Sequence, residues 1–110
     1  MRRFVILHHQ SPMGNHWDVM LEADSELKTW SIPPQYPSGG SFSCPATPLP
    51  AHRKCYLDYE GKVSANRGKV SRIDAGYYEQ TSPETFLLRG TQFAGTLTLE
   101  KETMTFCPFV

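Results

Sequence analysis

From His16 the chain alternates with a period of two. His16, Asp18, Met20 and Glu22 fall on one side, Trp17, Val19 and Leu21 on the other, as on a strand whose side chains leave opposite faces in turn. Ala23-Asp24-Ser25-Glu26 makes a turn, after which Leu27, Thr29 and Ser31 oppose Lys28, Trp30 and Ile32. Residues 16–32 therefore predict a β-hairpin. Residues 3–8 are apolar enough to predict a central strand before it, and residues 10–15, with Ser-Pro and Gly-Asn, predict the intervening loop. Residues 33–50 are rich in Pro, Gly and Ser and predict a long surface loop. Short strands are expected at residues 55–59, 68–73, 76–79, 85–88, 93–99 and 103–106, with turns at Asp74-Ala75-Gly76 and Arg89-Gly90-Thr91. No segment carries an amphipathic pattern of helical length. One helical turn is expected around residues 82–85, where Ser82 stands before Pro83 as a cap would. The expectation is an all-β fold, a small barrel or sandwich with a long Pro/Gly/Ser-rich loop and little helix.

A chain of 110 residues suits a single domain over residues 1–110 with a modest core. No apolar run approaches the roughly 18 residues that span a bilayer, so no membrane partner is expected. The apolar run after Arg2 and Arg3 is short and ends at two histidines, which favours a first strand over a signal peptide. Cys44, Cys55 and Cys107 form no CxxC pair, and an odd count points to reduced thiols and a cytoplasmic location. Net formal charge is zero, which argues against nucleic-acid affinity driven by whole-molecule charge. Charge is unevenly spread, however. Arg53, Lys54, Lys62, Arg67, Lys69 and Arg72 face only Asp58 and Glu60 in their part of the chain, and such a cationic stretch suits either a phosphate backbone or a solvated surface.

Three of the four histidines fall within residues 7–22, in LHHQSPMGNHWDVMLE. His16 and Asp18 are two apart, so on a strand both side chains leave one face with Cα atoms about 6.6 Å apart. A histidine closing the first strand could be brought back beside them by the loop through Gly14. Two imidazoles and a carboxylate form a borderline-to-hard donor set suited to Mn(II), Zn(II) or Fe(II). Adjacent His8 and His9 point to opposite faces, and periodicity does not choose between them. Ordinary surface or hydrogen-bonded histidines are the alternative. His52, in HRKCYLDYEG, could contact a phosphoryl oxygen or pass a proton beside Arg53 or Tyr56, provided the fold carries it to the cluster. Walker A, GxSxG and GxGxxG patterns are absent.

These residues resemble a known family. FVILHH, HWDVMLE and LKTWSIP are similar to the FVVQKH, HYDFRLE and LKSWAVP segments that open the 3'-phosphoesterase domain of bacterial DNA ligase D, and HRKCYLDYEG is similar to its HPLDYADFEG block. A third block, like WDRGTW, corresponds to IDAGYY at residues 73–78. The resemblance implies a compact β-barrel with its site in a crescent-shaped groove. It implies a manganese-dependent or similar enzyme that removes a 3'-ribonucleoside and then a 3'-phosphate from DNA ends. It selects His9 over His8 and implies metal ligation by His9, His16 and Asp18. His52 would contact the scissile phosphate and Tyr56 would support the site; apart from the resemblance, Arg53 or Arg67 beside them is expected to steer the strand. Expected partners are DNA 3' ends, with a DNA ligase, a repair polymerase or a Ku-like protein, and the chain itself is expected to be a monomer.

The chain also departs from the family's pattern. A phosphate-contacting arginine two residues after the HxD aspartate is Met20 here, and a second family arginine corresponds to Pro48. A glycine-rich stretch after the second block is replaced by Ser64-Ala65-Asn66-Arg67-Gly68-Lys69. Each lost charge-assisted grip on a phosphate is worth about 1.5–3 kcal/mol. Arg53, Arg67 or Lys69 are candidates to substitute from other positions. The departures motivate an alternative, a non-catalytic DNA-end or protein-binding module that keeps the barrel.

Overall fold

The computed structural model describes residues 1–35 and 40–110. Its elements are the strands β1 (Arg2–Ser11), β2 (Gly14–Glu22), β3 (Leu27–Ile32), β4 (Phe42–Pro45) and β5 (Thr47–His52), a short 3-10 helix (Lys54–Leu57), then β6 (Gly61–Lys62), β7 (Lys69–Ser82), β8 (Thr85–Gly90), β9 (Ala94–Glu100) and β10 (Thr103–Pro108). All the strands join one antiparallel sheet in the order β4-β10-β9-β8-β7-β1-β2-β3-β5, with β6 paired to β7. The fold is all-β, as expected, but it is not a barrel. β4 and β5 are the two edges of the sheet; although only Ala46 separates them in the chain, no ladder joins them. Pro45, Pro48 and Pro50 lie in these two strands, and proline removes the backbone donors that a closing ladder would need.

Several elements differ from their expected form. The predicted 33–50 loop contains β4 and β5, while its residues 36–39 lie outside the described residues. The predicted strand at 55–59 is largely the 3-10 turn, held by Tyr56 N–H donating to Arg53 O and Asp58 N–H to Cys55 O. The two strands expected on either side of Asp74 are one, β7, and the predicted helical turn at 82–85 is the tight β7–β8 connection. Asp74-Ala75-Gly76 is no turn because a bulge opposite Ile6 and Leu7 absorbs the irregularity without breaking the ladder. Asp74 is buried, and its carboxylate accepts N–H bonds from Thr91 (3.1 Å), Gln92 (2.9 Å) and Phe93 (2.7 Å), fixing the turn between β8 and β9. The expected turn after Arg89 stands at that place.

The sheet buries apolar side chains on both faces. Phe4, Ile6, Val19, Leu21, Ile32, Cys44, Tyr78, Phe86, Leu88, Leu97, Met104 and Phe106 form the main core, with Trp17 and Trp30 packed against it. On the opposite face Val5, Leu7, Met20, Leu27 and Val70 form a smaller core, covered by Leu57 of the 3-10 helix. This explains the unbroken burial of residues 4–7 in β1 and 19–21 in β2: both central strands are covered on both sides, so their residues read as continuous apolar runs. The candidate functional side chains emerge where the smaller core ends.

Candidate metal centre

β1 and β2 are joined by a two-residue turn, and their register sets Leu7 opposite Asp18 and His9 opposite His16. Odd-numbered side chains of β1 and even-numbered ones of β2 therefore share the face of the smaller core. Val5, Leu7 and Met20 fill its closed part; His9, His16 and Asp18 continue the same face to its open end. His8 pairs with Trp17 and so points to the other face. Strand pleat alone separates the two adjacent histidines.

One ligand atom from each of His9, His16 and Asp18 lies within 4.8 Å of the others. His16 Nε2 is 3.0 Å from Asp18 Oδ1, and His9 Nδ1 is 3.7 Å from Asp18 Oδ2. The imidazole rings meet edge to face with centroids 4.8 Å apart. The Asp18 side chain is 3 % exposed, against 19 % for His9 and 30 % for His16, so the carboxylate forms the floor and the rings the walls. Although His16 Nε2 stands within hydrogen-bond distance, Asp18 Oδ1 receives no correctly directed hydrogen bond. A buried carboxylate oxygen without a donor is costly, and a cation held between it and the ring nitrogens would satisfy it. The donor set, two imidazoles and one carboxylate, fits a divalent ion and leaves positions open for water or substrate oxygen. The Asp18 carboxylate raises the His16 pKa above its ordinary 6.5, outweighing burial, which acts in the opposite direction.

His52 does not join this cluster. It closes β5 opposite Leu27, whereas Asp18 stands opposite Ser31. Its Nδ1 lies 3.0 Å from Pro50 O, and its ring meets Tyr56 edge to face at 5.7 Å. His52, Arg53, Tyr56 and Arg67 line one cavity of about 340 Å³. Arg67 connects this cavity to the cluster, because its backbone oxygen is 2.6 Å from His9 Nε2. A second cavity, of about 330 Å³, adjoins His16 and is lined by the polar side chains of Asn15, Ser31, Gln35 and Thr47 among others. Sequence reasoning passed over these neutral residues; the signal was the alternation that puts Ser31 on the Asp18 face. A larger cavity, of about 900 Å³ and lined in part by Trp30, Tyr78, Phe86 and Leu99, has none of the expected site residues in its lining.

The two positions that depart from the family's pattern have different surroundings. Met20 is 1 % exposed and packs among Val5, Leu7, Leu27, Leu57 and Val70. Pro48 is exposed and pairs with Trp30. Cations remain nearby, for among the described residues no ion pair engages Arg53, Lys62, Arg67, Lys69 or Arg72. The acids that could have neutralised them are used elsewhere: Asp58 pairs with Arg3 at 2.7 Å, and Glu60 accepts the Arg72 backbone N–H.

No curated protein matches the chain. Residues 7–106 match the family described as the DNA Ligase D 3'-phosphoesterase domain. That span holds all three ligand-capable side chains, His52 and the strands that position them, so the chain belongs to the DNA Ligase D 3'-phosphoesterase domain family.

Proposed function

We propose that the chain is a divalent-metal-dependent phosphoesterase that processes 3'-phosphate or 3'-ribonucleotide ends of DNA, using manganese or another divalent ion such as zinc. One observation carries this reading: His9, His16 and Asp18 converge, in a chain of this family, around a buried carboxylate oxygen that lacks a donor. His9, His16 and Asp18 would hold the ion, which when bound supplies charge neutralisation and polarisation at a phosphoryl oxygen. His52 has the second role. The Pro50 carbonyl only accepts, so His52 Nδ1 carries a proton and Nε2 is the atom left to take or deliver one at the phosphoryl group. Tyr56, edge-on to that ring, limits its orientation. Arg53 and Arg67 give the cavity a cationic wall. Lys62 and Lys69 line a separate groove of about 540 Å³, a second place where a phosphate backbone would meet cations.

Purified protein with manganese is expected to release phosphate from a 3'-phosphorylated primer, and His16→Ala or His52→Ala to abolish that release. Failure to turn over with every one of several divalent metals would remove the enzymatic reading.

Met20 favours a second reading, in which the chain binds DNA ends or a repair protein without catalysis. Met20 is buried in the smaller core, where the resemblance would place a guanidinium grip on the phosphate, and that supports this reading. Saturable binding of a duplex end with no phosphate released would decide for that reading. Under either reading the partners are a DNA 3' end and, acting on the same end, a DNA ligase, repair polymerase or Ku-like protein.

A further inference from the structure

The 63–68 loop brings a main-chain carbonyl, that of Arg67, into hydrogen-bond contact with the His9 ring of the metal cluster. Its shape is specified by its own residues. Val63 N–H donates to Gly68 O at 2.8 Å and closes the loop. Ala65 (φ 60°) and Asn66 (φ 57°) take left-handed conformations. The Arg67 guanidinium is turned back on the loop, donating from Nε to Ser64 O and from a terminal nitrogen to Ser64 Oγ, both at 2.9 Å. Gly68 has φ 93° and lies against β1, where any Cβ would overlap the carbonyl of Gln10. Both the positive φ and the close approach require glycine. The loop is thereby pinned beside Gln10, the neighbour of His9.

The pinning places the Arg67 carbonyl 2.6 Å from His9 Nε2. A carbonyl only accepts, so Nε2 carries the proton and Nδ1 presents its lone pair on the Asp18 side, 3.7 Å from Oδ2. We propose that the Arg67 carbonyl, held by the Gly68-pinned loop, is the positioning group of the metal centre, fixing the tautomer and ring angle of His9 so that Nδ1 faces the ion. This inference rests on the metal-binding reading above. It assigns the ring-orienting role that ligating histidines generally obtain from a carboxylate or carbonyl to the main chain of the 63–68 loop. The Arg67 side chain serves the same end indirectly, by tying the loop to Ser64.

The test uses the full chain, free of metal and then titrated with manganese alone. In the metal-free protein at about pH 8, where an imidazole is neutral, nitrogen-detected NMR should show a His9 Nε2–H proton protected from solvent exchange. Gly68→Ala should lose that protection and, by calorimetry, bind manganese about 10–100-fold more weakly. Unchanged affinity in Gly68→Ala, a protected proton that persists there, or no protected proton in the parent protein would each overturn the proposal. Should Gly68→Ala fail to fold, Ser64→Ala removes only the hydroxyl tie to Arg67. Its expected loss is about fivefold in affinity, the equivalent of one hydrogen bond, and no loss would overturn the proposal equally. Absence of manganese uptake by the parent protein is a different result; it would refute the metal-binding reading itself, and this inference with it.

Discussion

Asp18 sets the chemistry of its neighbours. Its carboxylate sits on the sheet with Leu7 on one side and Ser31 on the other, buried and with one oxygen lacking a donor. Next to it, His16 binds its proton more tightly than a free imidazole. A folded-state pKa above the unfolded value means that this group's stabilisation is complete below about pH 6.5 and is lost as pH rises through the raised value. Metal ligation runs the other way, since it needs the ring neutral. Metal-free protein should therefore lose the His16 contribution on going from about pH 5.5 to about pH 8, while the rise in melting temperature caused by manganese grows over the same interval. Thermal melts with and without manganese across that range check both trends, and Asp18→Asn should flatten them together. His16 and Asp18 were legible as a pair on one face because their spacing matches the period of a strand, with a histidine of the preceding strand able to come beside them. The choice of His9 over His8 was not legible from periodicity, because it depends on where the β1–β2 turn falls; the family resemblance made it.

At the scale of elements, β7 shows how a side chain can overrule a local turn signal. Asp, Ala and Gly in succession favour a turn, yet Asp74 stays in a strand because its carboxylate is the acceptor for three consecutive N–H groups of the β8–β9 connection. Asp74→Ala would leave those donors facing a buried gap and should cost about 3 kcal/mol or more, measured as a lowered urea midpoint. Gly90 is matched to the same contact, since a Cβ there would overlap both the carboxylate and the Phe4 ring. The hairpin of β2 and β3 was legible from alternation alone. β4, β5 and the 3-10 turn were not. Prolines at 45, 48 and 50 read locally as loop, and only pairing with β10 on one side and β3 on the other makes these segments strands.

The described strands form one sheet whose two faces serve different purposes. One face wraps the main core, and the other carries the smaller core and, where that core ends, the metal cluster. All-β character was legible because the patterns were alternations of period two or short apolar runs, and none had helical length. Closure into a barrel was not, since it turns on whether two edge strands hydrogen-bond, and prolines in both decide against it. The cysteines add no cross-link: Cys44 is a buried thiol whose pKa burial raises, and Cys55 and Cys107 are exposed thiols. Among the described residues no helix is long and apolar enough to cross a membrane. Among the described residues Arg53, Lys62, Arg67 and Lys69 make no ion pair and line two cavities, so a chain of zero net charge still carries local cationic surface.

Calorimetric titration of the full chain with manganese most directly tests whether those three side chains form one ion site. One equivalent taken up by the parent protein, and none at that affinity by His16→Ala or Asp18→Asn, is the predicted result. Uptake that survives either substitution unchanged, or no uptake at all, would contradict it.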